Sequence, residues 1–447
     1  MDNVLLARSL FGSSMAFHII FATLGVGITL MILLAEIMRA ITKNADYGTL
    51  AKRWTKGVAI LLGVAIPSGT IVAVMLSLLW PGYMEIVGQV IALPFQIEIF
   101  AFFIEALFLS IYVYAADRLT PTMRIISVIF VALGATASAV LITDAHAWMN
   151  TPAGFDYTDG VISNVRPLEA AFNPSIYVTA MHVVGSAYLT GAFVLASVAA
   201  YKLFRGGLSE RETTYHKKGL LLSLIVAFLM AFYTANNGHD VAVMLHEEIP
   251  IKLAAAEGLF ETQANAPLAI LGTPDPEAGR VVGGIEIPGM LSWLATGTTD
   301  GVVQGLNDFP RDEWPPLFVH TLFNVMVGIG TLLLGLAGIS LVIWFFGRKK
   351  LNPYPKWLLG ALVFGGPLAM IGIETGWIFS CTGRQPWTIF GIQKTSEAAT
   401  NSGNLGMLFV LFITLYIALL VLTGLVMHFY FKRNPVKHDL EPTTTTM

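Results

Sequence analysis

Residues 13–38 read SSMAFHIIFATLGVGITLMILLAEIM, a run in which His18 and Glu36 are the only ionisable side chains. About 20 apolar residues suffice for a helix to cross the ~30 Å hydrocarbon core of a bilayer. Hydrocarbon offers no partner for backbone N–H and C=O groups, so such a run spans only as a helix. It is too long for a signal-peptide core and no cleavage pattern follows, so it reads as a retained span. Eight further runs behave alike, at 57–79, 90–115, 125–146, 176–203, 219–238, 317–346, 357–380 and 405–431. Pro67 and Pro94 fall inside two of them and mark expected kinks. The 447 residues are 55% hydrophobic and 12% charged, whereas soluble domains run near 25% charged. The fold class is therefore all-α: a polytopic membrane protein of nine transmembrane helices. A net charge of −3 without a basic domain argues against nucleic-acid binding, and a lone cysteine, Cys381, excludes a disulfide framework.

Orientation follows from the Lys and Arg of the connections. Most of the 26 lie on one set, including Arg39, Lys43, Lys52, Arg53, Lys56, Lys217, Lys218 and Arg348–Lys350. That side is expected to be cytoplasmic, with the N-terminus outside and the C-terminus inside. The chain divides into helices 1–6 (residues 1–238), a long outer loop (239–316), helices 7–9 (317–433) and a cytoplasmic tail (434–447) that shows no structural demand. A loop of that length is usually functional or disordered. No internal repeat is visible.

Ionisable or ligand-type side chains inside a span are costly and point to function. His18, His182 and Met326 fall at similar depth near the outer ends of the first, fifth and seventh runs. A His and a Met on different helices can clamp a low-spin haem iron, although a bonded histidine and a core-filling methionine are the plainer alternatives. Glu98 and Glu105 are seven residues apart on the third run, which puts both on one helix face. With almost no Lys or Arg in the spans to pair with, they suggest a proton relay or partners to an iron. Glu374 and Cys381 repeat the spacing on the eighth. Glu36 can reach the headgroups and needs no special role. His146 beside Asp144, His320, His239, His246, His216, His428 and His438 read as interfacial polar residues. Walker, Rossmann and HExxH motifs are missing.

Four segments carry a family resemblance. Gly383-Arg384-Gln385-Pro386-Trp387, after the eighth run, resembles the GRQPW signature of subunit I of the cytochrome bd quinol oxidases. Lys252-Leu253-Ala254-Ala255-Ala256-Glu257 is similar to that family's quinol-loop motif, and Ala101–Glu105 and Asn307-Asp308 also fit. The resemblance covers nearly the whole chain and is to the short-loop branch. It implies His182 and Met326 as ligands of a low-spin haem b, and His18 as a ligand of one of two high-spin haems, one of them haem b. It implies Glu98 and Glu105 beside those haems, Lys252 and Glu257 in quinol oxidation, Trp377 among the haems, and Arg384 against a haem propionate. Implied partners are a second membrane subunit, a single-helix peptide, membrane quinol, O2 and the lipid bilayer of a prokaryotic plasma membrane.

Two positions depart from the family pattern. Cys381 stands where a glutamate ligates the other high-spin haem; a thiolate, water or Glu374 are the alternatives, and the group is haem d or a b-type replacement. Asn324 stands where many members carry arginine. The expected activity is oxidation of quinol at the outer loop and reduction of O2 to water, generating a membrane potential without pumping. The rival readings are a bd-like oxidoreductase with an altered high-spin haem or acceptor, and a proton-coupled transporter using Glu98 and Glu105.

Overall fold

The computed structural model describes residues 3–440. Among them, nine helices are long and apolar enough to span: Asn3–Thr42, Ala45–Leu79, Ala92–Arg118, Pro121–Asn150, Ile176–Arg205, Glu210–Glu248, Val319–Gly347, Lys356–Thr382 and Leu405–Arg433. Several outrun their apolar stretches because hydropathy registers only the part in hydrocarbon, while the helix continues into polar surroundings until capped. Asn44 accepts from the Asp46 N–H to open the second span, and Thr120 accepts from Met123 N–H ahead of Pro121 in the fourth. Ser209 and Glu212 form a capping box on the sixth. Pro94 corrects an expectation: it lies in the first turn of the third span, where the missing N–H is unpaired anyway, rather than inside it. Pro67 does sit within the second helix, which continues through it.

The first span packs against the second, fourth, fifth, eighth and ninth. Its approach to the fifth is close enough that a Cβ at Gly27 would lie 2.3 Å from the Ala187 carbonyl and 2.8 Å from Gly191 Cα. Small residues allow such backbone contact, the main source of helix adhesion in lipid. The fifth, sixth, seventh and eighth spans close a ring in which each packs on the next. The fifth and seventh therefore face one another across it. The seventh and ninth spans are mostly exposed, as lipid- or partner-facing helices are.

The outer loop is ordered. The sixth helix runs on to Glu248, past the apolar run that ends at 238, and a second helix, Pro250–Glu257, follows at once. Short antiparallel strand pairs then fold the rest: Leu268–Ile270 with Ile285–Ile287, Thr273–Asp275 with Arg280–Val282, and Gln263–Ala264 with Val302–Val303. Strands are confined to connections, so the class is unchanged. The tail also departs from expectation. Val436–Leu440 is a short helix, and Asp439 pairs with Arg53 at 2.7 Å; residues 441–447 of the tail lie outside the described residues.

Candidate functional site

The three ligand-type residues each keep a coordinating atom unclaimed. His182 Nδ1 lies 3.1 Å from Asn237 Oδ1. An amide oxygen only accepts, so Nδ1 carries the proton and the Nε2 lone pair is unengaged. His18 Nδ1 lies 3.0 Å from Ser68 Oγ, whose own hydrogen goes to the Ala65 carbonyl at 3.0 Å. Ser68 therefore accepts, and His18 Nε2 is again the lone-pair nitrogen. Metal-ligating histidines are commonly oriented in this way by a bond at the second nitrogen. Met326, across the ring from the fifth span, packs its sulfur on Gly376 so closely that a Cβ there would lie 2.9 Å from Sδ.

Where the eighth span ends, its last turn and the loop helix 250–257 interlock. Lys252 is 3% exposed, and its Nζ donates to Asn150 Oδ1 at 3.0 Å and to the Ser380 carbonyl at 2.9 Å. Its stem fills the place of a Gly383 side chain, 3.2 Å from where that Cβ would be. His146 Nε2 meets Ser380 Oγ at 2.8 Å, and the His146 ring lies edge-on to Trp377 at 5.4 Å. Asn150 Nδ2 donates to the His146 carbonyl. His146 is thus a buried member of the site, correcting the interfacial reading. Asp144 is buried too, accepting from Asn173 Nδ2 at 2.8 Å. Cys381, in the last turn of the eighth span, has an exposed side chain. Glu374, one helix face with Cys381, keeps a buried Oε1 without a partner. Arg384 is buried with both Nε and Nη1 unpartnered.

Burial shifts both ionisable groups of the loop helix toward their neutral forms. Burial, then repulsion from Arg384, pulls the Lys252 ammonium down to about 7, and burial alone pushes the Glu257 carboxyl up to about 8. Glu257 is 4% exposed and its Oε2 has no partner. His320, expected at the interface, is fully buried: Nδ1 lies 2.8 Å from the Ala256 carbonyl, and Nε2 lies 3.1 Å from the Leu271 carbonyl and 3.2 Å from Asn324 Nδ2. Asn324 Oδ1 in turn accepts from the Leu271 N–H at 2.9 Å, where Leu271 has φ +61°. Asn324 therefore clamps the loop to the seventh span. Asn324→Leu is expected to raise the KM for quinol about tenfold while leaving the haem absorption bands in place; steady-state oxygen uptake and a reduced-minus-oxidised spectrum check both.

Glu98 and Glu105 both face the fourth span. Ser138 Oγ donates to Glu98 Oε1 at 2.6 Å, and Gly134 opposes the Glu105 backbone and Cβ. No ion pair among the described residues involves either acid. Glu36 corrects the reading that it snorkels: it is 3% exposed and bound by Tyr112, Arg39 and Arg124. Sequence reasoning passed over Asn237, Ser138 and Ser380. The polar pair Asn236-Asn237, closing an apolar run, was the one available signal among them.

Donor chemistry and enclosure together suit an iron porphyrin. Two imidazoles offer lone-pair nitrogens, a thioether lies on a helix across the four-helix ring from one of them, and the buried, half-unsatisfied Arg384 suits a propionate carboxylate. Such a nine-span bundle has the make-up of a haem-binding membrane protein. Residues 6–435 match the family model described as "Cytochrome bd terminal oxidase subunit I". A Bacillus subtilis (strain 168) protein named "Putative cytochrome bd menaquinol oxidase subunit I" is 57% identical over 440 residues, covering 98% of this chain and 99% of that one. The "Cytochrome bd ubiquinol oxidase subunit 1" of the same strain is 29% identical over 453 residues, 98% and 95% of the two chains. The bd oxidase structure from Geobacillus thermodenitrificans superposes with a TM-score of 0.92 at 44% identity, over 97% of this chain and 99% of that one. The chain belongs to the cytochrome bd terminal oxidase subunit I family. Membership carries with it haem as cofactor and a multi-pass membrane location.

Proposed function

We propose that the chain is subunit I of a quinol-oxidising terminal oxidase in a prokaryotic plasma membrane, its N-terminus outside and its C-terminus in the cytoplasm. The net reaction oxidises quinol at the outer loop and reduces O2 to water. Releasing quinol protons outside and drawing substrate protons from inside charges the membrane without a pump. Haem supplies the one-electron carriers and the oxygen-reducing centre.

His182 and Met326 hold a low-spin haem b, with Asn237 fixing the imidazole. His18 holds a high-spin haem b, fixed by Ser68. Cys381 or Glu374 would hold the third haem, haem d or a b-type replacement. Arg384 would pair with a propionate, and Trp377 would pack among the haems. Glu257 accepts a hydroxyl proton from quinol. Lys252, whose donors are engaged by Asn150 and Ser380, anchors the donor loop beside the GRQPW segment. Glu98 and Glu105 form the last steps of the path that brings protons from the cytoplasmic side. A cytochrome bd-type subunit II and a single-helix small subunit complete the complex. The functional domains are the six-helix unit to 238, the quinol loop 239–316 and the three-helix unit to 433.

The observation that carries this reading is the His182–Asn237 bond, which leaves Nε2 available on a helix that faces the Met326 helix across the ring. Pyridine-haemochrome analysis of the purified complex, with quinol-driven oxygen uptake, tests it. A colourless, well-folded preparation overturns it in favour of transport through Glu98 and Glu105. A second reading, an oxidoreductase with only b-type haems or another acceptor, rests on an exposed Cys381 where the family pattern has glutamate. Cys381→Ser is expected to shift the high-spin absorption bands; an unchanged spectrum shows that the thiol does not bind iron.

A further inference from the structure

Glu36 and Tyr112 are the unexplained feature of the inner half of the bundle. A carboxylate 3% exposed within a span is costly unless paired. The Tyr112 hydroxyl donates to Glu36 Oε1 at 2.6 Å; Arg39 and Arg124 approach at 3.7 Å. Arg39 keeps a side chain 39% exposed, so the cluster opens to the inner surface.

Tyr112 is also in register with the two acids of the third span. Glu98, Glu105 and Tyr112 follow at intervals of seven residues, so they share one helix face. The fourth span runs antiparallel along that face: Ser138 meets Glu98, Gly134 meets Glu105, and Arg124 reaches the Glu36 bound by Tyr112. The first span closes the third side. Its Val26 packs level with Ala135, and its Glu36 is level with Arg124. Between those two depths lies Thr29, fully buried, seven residues before Glu36 and on its face. The Thr29 hydroxyl donates to the Val26 carbonyl at 2.9 Å, leaving its oxygen free to accept. From Tyr112 to Glu105 is ~10.5 Å of helix rise, and Thr29 stands at the depth of that interval.

We propose that Glu36, Tyr112 and Thr29 are the inner mouth of the proton path that supplies Glu105 and Glu98. The proposal rests on the oxidase reading and the orientation given above. Glu36 takes a proton from the inner aqueous side, with Arg39 and Arg124 holding the carboxyl in place. The Glu36 carboxyl proton passes to the Tyr112 oxygen as the Tyr112 hydroxyl proton passes to the Thr29 oxygen and the Thr29 hydroxyl proton, released from the Val26 carbonyl, passes to the Glu105 carboxylate. Turning each hydroxyl back restores the starting bonds, so one proton moves from the inner side to Glu105 and Glu36 is left ionised.

The test uses the purified complex in proteoliposomes, wild type and with Tyr112→Phe, Thr29→Val and Glu36→Gln. Readouts are haem spectra, kcat and KM for quinol, the solvent deuterium effect on kcat, and the rate of proton uptake when the pre-reduced complex meets O2. Tyr112→Phe removes one oxygen and keeps the ring. It is expected to preserve the spectra and KM, slow proton uptake and kcat by about tenfold or more, and enlarge the isotope effect. Adding Glu36→Gln to Tyr112→Phe is expected to slow uptake no further than the worse single change. Unchanged uptake in Tyr112→Phe overturns the proposal, even if Glu36→Gln fails to assemble, because the cluster is then only a clamp between helix ends. A wild-type complex without quinol-driven oxygen consumption overturns the oxidase reading instead, and wild-type uptake from the outer side overturns the orientation.

Discussion

Met326→Leu is expected to abolish the low-spin haem bands and to lower quinol-driven oxygen uptake by at least about 100-fold. Losing even a residue that orients a metal ligand commonly has a 10- to 100-fold effect, and here the ligand atom itself goes. Leucine nearly matches methionine in volume, so the helix packing survives and the effect reads on iron. A second variant approaches the same atom from behind. Gly376→Ala places a Cβ 2.9 Å from Met326 Sδ, closer than real Cβ contacts come, so the thioether must move. The expected result is a shifted or high-spin spectrum with Met326 still present. Persistence of the native low-spin bands in both variants would sink the assignment of Met326. The high-spin bands, associated with His18 on another span, are expected to remain, which separates ligand loss from collapse of the fold.

Glu257→Gln is expected to reduce quinol turnover by about 100-fold with all haem bands intact. The carboxyl is buried and its neutral form favoured up to about pH 8. A proton acceptor must be ionised, so in the wild type kcat/KM for quinol is expected to rise with pH and level off above about 8. Below that value the carboxyl holds its own proton and the rate falls about tenfold per unit. Glutamine has no such ionisation, and its residual rate is expected to lose this limb of the profile. A wild-type profile flat from pH 6 to 9, or a Gln variant with the same slope, removes Glu257 from the donor site.

The nine spans were legible because hydrocarbon demands long apolar runs, but their ends were not. Asn44 and Ser209 cap helices that begin well before hydropathy rises, and the sixth outlasts its apolar run by ten residues, through His239 to Glu248. Spacing along one helix was equally readable: the seven-residue interval puts Glu98 and Glu105 on one face, and both meet the fourth span. Adjacency between helices was not. Glu36 looked like a headgroup-reaching acid because nothing in its own span reveals Tyr112, 76 residues later. His146 looked interfacial because Ser380 is 234 residues away. The loop motif marked Lys252 and Glu257, yet periodicity could not foresee that both would be buried and shifted toward their neutral forms. For Asn324, a comparison of residue types marked only a departure from arginine. The bond it accepts from Leu271 shows instead what the amide does: it holds backbone that a guanidinium, which only donates, could not hold.

The hairpin of strands 273–275 and 280–282 turns through Pro276–Gly279, with open space around Gly279. Pro274 and Val281 of that hairpin pack on Gly258 beside Glu257, and the Pro276 carbonyl accepts from Arg311, so only the tip at Gly279 stands clear of the functional stretch. A fluorophore or affinity peptide inserted there should report from the outer aqueous face without perturbing respiration. It would make that edge a convenient handle for purification, labelling and single-particle imaging.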